Sequence, residues 1–451
     1  MMKNLVLRLS FAALLVASVS QAQTLDQVVG GCGGVAPTRT IQATPSNYKT
    51  LLTSLVPGDR LLLAAGTYTQ GLRPHGLNGQ ANKCIVIEGP ASGTPALFLG
   101  SDAFNTISLK NNSYLVFRNL ELNGQGKLGD GVKAEADSTS THHITIENLK
   151  LTGYNSSDQR VGISTKSRAW NWVIRRNTIQ GAGTGLYLGK PDGTAEFVNG
   201  LIENNLVQDT LGYGMEIKHQ TSRATTLGIP ANATTIIRNN VFSKASGSLS
   251  GTAARPNVLV GHWPLSGAGS TDTYQIYGNL FYQNPYEALF QGEGNVSLHH
   301  NLFVSHNGPR AVRIQPHNNK PRKVDIFQNT IVSVTEGILV TGGDPAYPQR
   351  VTGNAVFSAA PISGGIQSGN AIGAYSTAST ALVDPFGAIG QLDLYPKAGQ
   401  LQSTTLDLSV LIGYLDWDRD FNGLSYIGTF RGAYAGAGVN PGWKPALSIK
   451  P

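Results

Sequence analysis

Apolar and polar residues alternate through a series of short phrases, VFRNLEL, TIENLKL, VIRRNTI, LIENNLV, IIRNNVF, IYGNLFY, LHHNLFV, DIFQNTI and VTGNAVF, each holding an asparagine. A period of two is that of a strand with one buried face, and Val, Ile, Leu and Phe dominate the positions that would be buried. The asparagines are Asn119, Asn148, Asn177, Asn205, Asn240, Asn279, Asn301, Asn329 and Asn354, spaced 29, 29, 28, 35, 39, 22, 28 and 25 residues apart. A fixed register with variable insertions predicts a solenoid that carries loops on some of its turns. Strands this short cannot bury an apolar face alone, so successive repeats must stack, each strand pairing in parallel with its counterpart one coil away. Equivalent residues then form columns about 4.8 Å apart, in which asparagines can bond to one another and to turn backbone.

A second strand family lies between these phrases: GVKAEAD (131–137), GISTKSR (162–168), GLYLGKP (185–191), GMEIKHQ (214–220), NVLVGHW (257–263), EALFQGE (287–293), AVRIQPH (311–317) and GILVTGG (337–343). Their second and fourth residues are mostly apolar and are expected to point inward, leaving the third and fifth outside. The first outward column reads Lys133, Ser164, Tyr187, Glu216, Leu259, Leu289, Arg313 and Leu339. The second reads Glu135, Lys166, Gly189, Lys218, Gly261, Gln291, Gln315 and Thr341. Just beyond them come Asp137, Arg168, Gln220, Trp263, Glu293 and His317, with His219 and His262 one position earlier.

Charged residues make up only 14% of the chain, so the mixture of basic, acidic, imidazole, amide and aromatic groups on this strip predicts ligand binding. Glu135, Lys166, Arg168, Gln220, Trp263, Gln291, Gln315 and His317 are the expected substrate contacts. Ordinary solvated surface is the competing reading. Glycines at 189 and 261 leave room for a ligand to lie against backbone.

Residues 1–22 combine a basic start, the apolar run FAALLVASV and the small-x-small sequence Ser20-Gln21-Ala22, as a cleaved export signal does. No other apolar stretch approaches the roughly 20 residues of a membrane helix, so a soluble, secreted or periplasmic chain starting near Gln23 is expected. The formal charge is +7, and loss of Lys3 and Arg8 with the signal leaves +5. A basic exported protein favours anionic partners such as uronate or sulfated polysaccharide, and no recognised nucleic-acid-binding motif appears. An even cysteine count in an oxidising compartment favours a disulfide between Cys32 and Cys84. A monomer is expected.

Three parts follow: the signal (1–22), a solenoid with an N-terminal cap (23–365) and a C-terminal capping segment packed on it (366–451). Tyr48–Leu55 reads as a short helix covering the open end of the solenoid, Pro57-Gly58-Asp59 as a turn, and RLLLAAGTY as the next strand. In the C-terminal part, Asp418, Asp420, Asn422 and Gly423 match the first half of a calcium loop. The twelfth position is Thr429 rather than a bidentate glutamate, which favours a polar turn.

The asparagine phrases resemble the right-handed parallel β-helix of pectate-lyase-like proteins over roughly residues 35–365. PGDRLLLAAGTY followed by CIVIEGP resembles the opening of secreted β-helix polysaccharide lyases. The strand Glu216-Ile217-Lys218-His219-Gln220 resembles the E-I-I-S-x-K-S region of polysaccharide lyase family 6, the alginate lyases and chondroitinase B. That resemblance implies an elimination in which a lysine is the base, an arginine the acid, and carboxylates with an asparagine hold a calcium ion that neutralises the uronate. By position Glu216 would be a calcium ligand, and by chemistry Lys218 is a candidate base. Neighbouring cations such as Lys166 and Arg313 would help lower a lysine pKa. The family's further glutamate falls on Gly214, and His262 stands where its arginine normally lies. Arg313 is three coils from Glu216, about 14 Å along the axis. His262 or His219 is therefore the candidate acid, with Arg313 and His317 on a neighbouring sugar.

Three functions fit this pattern. One is a lyase that cleaves an acidic polysaccharide by β-elimination. Another is a β-helix glycosidase, which needs a carboxyl pair for which Glu135, Asp137, Glu216 and Glu293 are the candidates, although the paired-aspartate and Gly-His-Gly motifs of polygalacturonases are absent. The last is a non-catalytic surface protein that binds glycan.

Overall fold

The computed structural model describes Cys32 and residues 36–451; the export signal expected at 1–22 lies outside the described residues. The chain winds as a right-handed parallel β-helix. One sheet stacks the strands that precede each asparagine corner, including Asn112–Arg118, Ser140–Glu147, Val173–Arg175, Leu201–Glu203, Thr234–Arg238, Thr273–Tyr277 and Val296–His299. The strands that follow the corner, such as Leu206–Gln208 and Leu280–Tyr282, form a second face. The strip strands Val161–Thr165, Thr184–Leu188, Met215–Ile217, Val258–Val260, Ala288–Gly292 and Arg310–Ile314 form a third. The last two faces join where Thr330–Val340 and Ala355–Ser363 run through the bend between them. The core is the tube interior, filled by such stacks as Phe242, Phe281 and Phe303.

The asparagine column begins at Asn177. In each coil the side-chain Oδ1 accepts both the backbone N–H and the Nδ2 of the asparagine one coil before. Asn205 takes them from Asn177 at 3.0 and 2.9 Å, and Asn240 from Asn205 at 2.9 Å each. The other Nδ2 proton goes to a strand carbonyl, as from Asn240 to Ile202. The ladder continues through Asn279, Asn301, Asn329 and Asn354 to Asn370.

Asn119 and Asn148, expected in this column, stand one residue earlier. Glu147 pairs with Arg175, and the amide of Leu149 donates to Asn177 Oδ1, so Leu149 holds the ladder position. Asn119 and Asn148 occupy a corner residue with φ of 57° and 53°, filled on later coils by Arg176, Asn204, Asn239 and Gly278. Left-handed backbone favours asparagine and glycine, so two separate demands for asparagine share one phrase. The solenoid also runs to Gly373 rather than 365, because Ile366–Ser368 and Ala371–Gly373 pair in parallel with the preceding coil.

At the start, a helix spans Tyr48–Leu52, three residues shorter at its C-terminal end than expected, and buries Tyr48 and Leu52. Tyr48 meets Tyr68 and Phe98 edge-on. The expected strand after the turn is two, Asp59–Leu63 and Gly66–Tyr68. Cys32 and Cys84 form the expected disulfide.

The C-terminal segment packs along the asparagine corner. Leu382, Leu394, Phe421 and Tyr434 lie against Val241, Leu280, Leu302 and Val332. Lys450 Nζ donates to Asn239 Oδ1 and Gly278 O at 3.0 Å and to Phe421 O at 2.8 Å. The half calcium loop is a polar turn: Asp420 accepts the amides of Asn422, Leu424 and Ala435.

Replacing Asn240 by Ala removes the side-chain partner of the Asn205 amide, of one Asn205 Nδ2 proton and of the Ile202 carbonyl, each loss costing about 1–3 kcal/mol. Asn240→Ala should therefore lower the denaturant midpoint far more than Asn148→Gly, whose exposed left-handed site suits glycine and should shift stability by less than about 1 kcal/mol.

Candidate functional site

The strip is built by register. Lys133 pairs with Ser164, Ser164 with Tyr187, Tyr187 with Glu216, Glu216 with Leu259, Leu259 with Gln291, and Gln291 with Arg313. The outer column is as expected except that Gln291, not Leu289, fills its coil. Leu289 is buried, and Gln291 leaves the second column, where Glu293 takes its place beside Gly261 and Gln315. The strand pairs as Val258 with Phe290 and Leu259 with Gln291, two residues later than the phrases align, and at its start Glu287 accepts the amide of Ala288 at 2.9 Å and binds Arg310 at 3.0 Å.

The densest point joins three coils. Glu216 is only 2% exposed, and its Oε1 lies 2.6 Å from Nζ of Lys218, the residue just past the strand's end. One coil before, the Tyr187 ring is flanked by two ammonium groups, Lys166 Nζ 3.2 Å and Lys218 Nζ 5.6 Å from its centre. Burial pulls the Lys166 pKa down to about 8, aided by Lys133 and Lys218 and opposed by Asp130 and Glu216. The Tyr187 hydroxyl moves the other way: burial, then Glu216, hold its proton more tightly than usual. Tyr213 closes one side with a pKa raised by burial and by Glu216, and Arg255 lies 5.8 Å over its ring.

Other expected contacts are dispersed. Glu135 accepts from Asn105 at 2.8 Å and from Ser108 at 2.6 Å, three coils toward the N-terminus from Lys218. Arg168 has turned the corner onto the neighbouring sheet, where its Nε lies 3.7 Å from Glu196. Gln220 is buried and donates to Phe197 O at 3.0 Å. Gln291 donates to Glu287 at 3.1 Å, and Gln315 is half-buried on the second column. Arg313 is three coils from Glu216, as the register requires, and lies 3.4 Å from Glu336. His317 is exposed on a loop whose amides, those of His317, Asn318 and Asn319, all donate to Glu293.

Two residues placed on the strip by alternation are inside instead. The strand ends at Val260, so the in-and-out rule lapses after it. Trp263 is 1% exposed and stacks on Tyr274 with ring centres 4.4 Å apart, offering no face to a sugar. His262, also 1% exposed, sets Nε2 2.9 Å from Lys320 O and Nδ1 against its neighbour's carbonyl, Trp263 O. Neither nitrogen faces the strip, which removes it as a proton donor to substrate. His219 stays beside Lys218, half-buried, with a pKa lowered by burial, Lys218 and His317.

The calcium set implied by the family resemblance does not fit. Among the described residues no three His, Cys, Asp or Glu side chains converge as metal ligands. Glu216 is engaged by Lys218, and Gly214 stands where the second carboxylate would be. A hollow of about 200 Å³ lies on another face, lined by Arg118, Glu147 and Arg175. Its charges belong to an alternating ladder, Arg118 to Glu88 at 2.8 Å and Arg175 to Glu147 at 3.1 Å.

Sequence reasoning had put Tyr187 on the outer column without giving it a role, and it missed Tyr213. The signal for Tyr187 was an aromatic between two lysines of the adjoining column. For Tyr213 no periodic signal existed, since it precedes the strand.

Together these features define a parallel β-helix protein with a lysine- and tyrosine-lined outer strip. No family model matches the sequence, and neither does any curated protein. Among solved structures the chain is similar to the family 6 alginate lyase AlyGC, at 13% identity over 74% of this chain with a TM-score of 0.38; the chain spans 53% of that protein. It is also similar to a mannuronic acid specific family 6 lyase from human gut microbiota, at 13% identity, 74% of this chain, 83% of that one and a TM-score of 0.42. Pectate lyase Pel9A gives 12%, 90%, 98% and 0.43. The fold itself rests on this chain's own parallel strand pairing. No helix among the described residues is long and apolar enough to cross a membrane.

The inward Trp263 yields a test: Trp263→Ala should cost about 3–5 kcal/mol in denaturant unfolding.

Proposed function

We propose that the protein is an exported polysaccharide lyase that cleaves a uronate-containing chain by β-elimination on the strip around Lys166, Tyr187 and Lys218. The observation that carries this reading is the pair of lysines flanking Tyr187, one lowered to a pKa of about 8 and the other fixed on a buried glutamate. Elimination needs a base for the proton at C5, an acid for the departing O4 oxygen, and a positive group at the carboxylate that makes C5 acidic.

Lys166 suits the base, because a lysine near pKa 8 supplies free amine at mildly alkaline pH. Lys218 suits it less, since its Nζ is spent on Glu216 at 2.6 Å; it remains in the machinery as the cation. Tyr187 suits the acid, as a phenol that keeps its proton between the two amines. The C5–H bond breaks as Lys166 takes the proton, the C4–O4 bond breaks as the C4–C5 double bond forms, and Tyr187 protonates O4. Transfer of a proton from Lys166 to Tyr187 restores both groups. Arg313, Gln291 and Gln315 lie toward the C-terminal coils, and Glu135 toward the N-terminal ones, as contacts for flanking sugars. The Cys32–Cys84 disulfide and the signal-like start support export.

Incubation with alginate, pectate or chondroitin should generate the unsaturated product, read as absorbance at about 235 nm, the region expected for a carboxylate conjugated to a new double bond. New reducing ends without that absorbance would favour the glycosidase, and binding with neither would favour a glycan-binding protein. Since the base must be unprotonated, kcat/KM should rise about tenfold per pH unit below pH 8 and level off above it. Lys166→Met should reduce kcat by about 10²–10⁴-fold in a protein that still unfolds cooperatively. Unchanged turnover would reject Lys166 as base.

A further inference from the structure

We infer that Lys218, seated on Glu216, is the group that meets the substrate carboxylate, and that this site works without a divalent cation. The inference rests on the lyase reading for the identity of the anion, and on this chain's own geometry for the absence of a metal role.

Calcium takes six to eight oxygens at 2.3–2.6 Å, several of them carboxylate. At Glu216 the oxygens needed for that shell are missing or committed. In register with Glu216 the adjacent coils carry Tyr187 and Leu259. Lys218 lies between Gly189 and Gly261, whose coils bond to its own at those positions. Position 214 has no room for an acid, because a Cβ there would meet Asn257 O at 2.7 Å. Nearby carboxylates have other partners: Asp130 holds Lys133 at 3.0 Å and the Val161 amide at 3.0 Å, Glu287 holds Arg310, and Glu293 holds three loop amides.

The ammonium, by contrast, is placed for an anion. Lys218 directly follows the strand Met215–Ile217, and its Nζ reaches back to Glu216 Oε1 at 2.6 Å, which fixes the pair. An ammonium has three donors; one is spent on Glu216 at 2.6 Å. Gly189 lies against the Lys218 stem, where a Cβ would come within 3.3 Å of Lys218 Cβ, and the Lys218 side chain is 20% exposed against 3% for its partner. A uronate carboxylate laid against that exposed part would receive a charge-assisted hydrogen bond from a cation that needs no recruitment from solution.

Calorimetric titration with tetramers of mannuronate, guluronate and galacturonate, in EDTA and again in calcium, tests the inference. The expected result is one tetramer bound equally well in both buffers, no heat from calcium chloride alone, and at least about tenfold weaker binding by Lys218→Gln, the scale of one charged hydrogen bond. Lys218→Gln leaves Glu216 buried without its partner, so the double variant Glu216→Gln/Lys218→Met, which removes both charges, is measured beside it and should be equally impaired. Binding that disappears in EDTA, or full affinity in the folded double variant, would overturn the inference while leaving the lyase reading intact if product forms. Tetramer bound in EDTA without any absorbing product would uphold the inference and reject the lyase. No binding of any tetramer in either buffer would overturn both.

Discussion

One hydrogen-bonding unit repeats up the solenoid and the rest depends on it: an asparagine whose oxygen accepts two protons from the coil before and whose nitrogen serves the coil after. A tight corner in a stacked fold leaves backbone donors and acceptors facing a dry interior, where each unmade bond is expensive. The amide side chain has both polarities and the length to span one strand spacing. It closes the corner without water and locks neighbouring coils in register. Because coils of very different length pass through the same corner, the loops vary freely while the strip strands stay aligned.

The fold was legible because alternation and the asparagine recurrence both survive insertions of any length. The ladder itself was less so. Asn148 and Asn177 sit in similar phrases, yet one serves a left-handed backbone and the other a buried bond; only the extra polar residue in VIRRNTI separates them. The disulfide, the C-terminal packing and the outward placement of Glu216, Lys218 and Arg313 follow from composition and period. Trp263 and His262 do not, since alternation holds only while a strand is paired, and theirs ends at Val260. Gln291 falls in the other column because its strand pairs two residues later than the phrases align, a register set by stacking against the neighbouring coil.

The site also illustrates how neutralised charge differs from absent charge. Lys133, Lys218 and Arg313 each have a carboxylate partner, whereas Lys166 leans on an aromatic face. Ion pairing keeps a cation in place; burial beside other lysines, with no carboxylate in contact, lowers the Lys166 pKa although the aromatic face beneath it favours the ammonium. The same residue type therefore differs along one strip by what surrounds it.

Stacking imposes a ruler on this surface. Groups in one column can be separated only by whole multiples of about 4.8 Å, so the span from Lys166 across Gly189 to Lys218 is a two-step distance. Point substitutions can recolour a step but cannot shorten it. A change in the number of steps between the two lysines would require gain or loss of an entire coil, while the loops, free of that ruler, can drift residue by residue. Descent in such a protein would thus move the spacing of its strip in jumps and the loops around it smoothly.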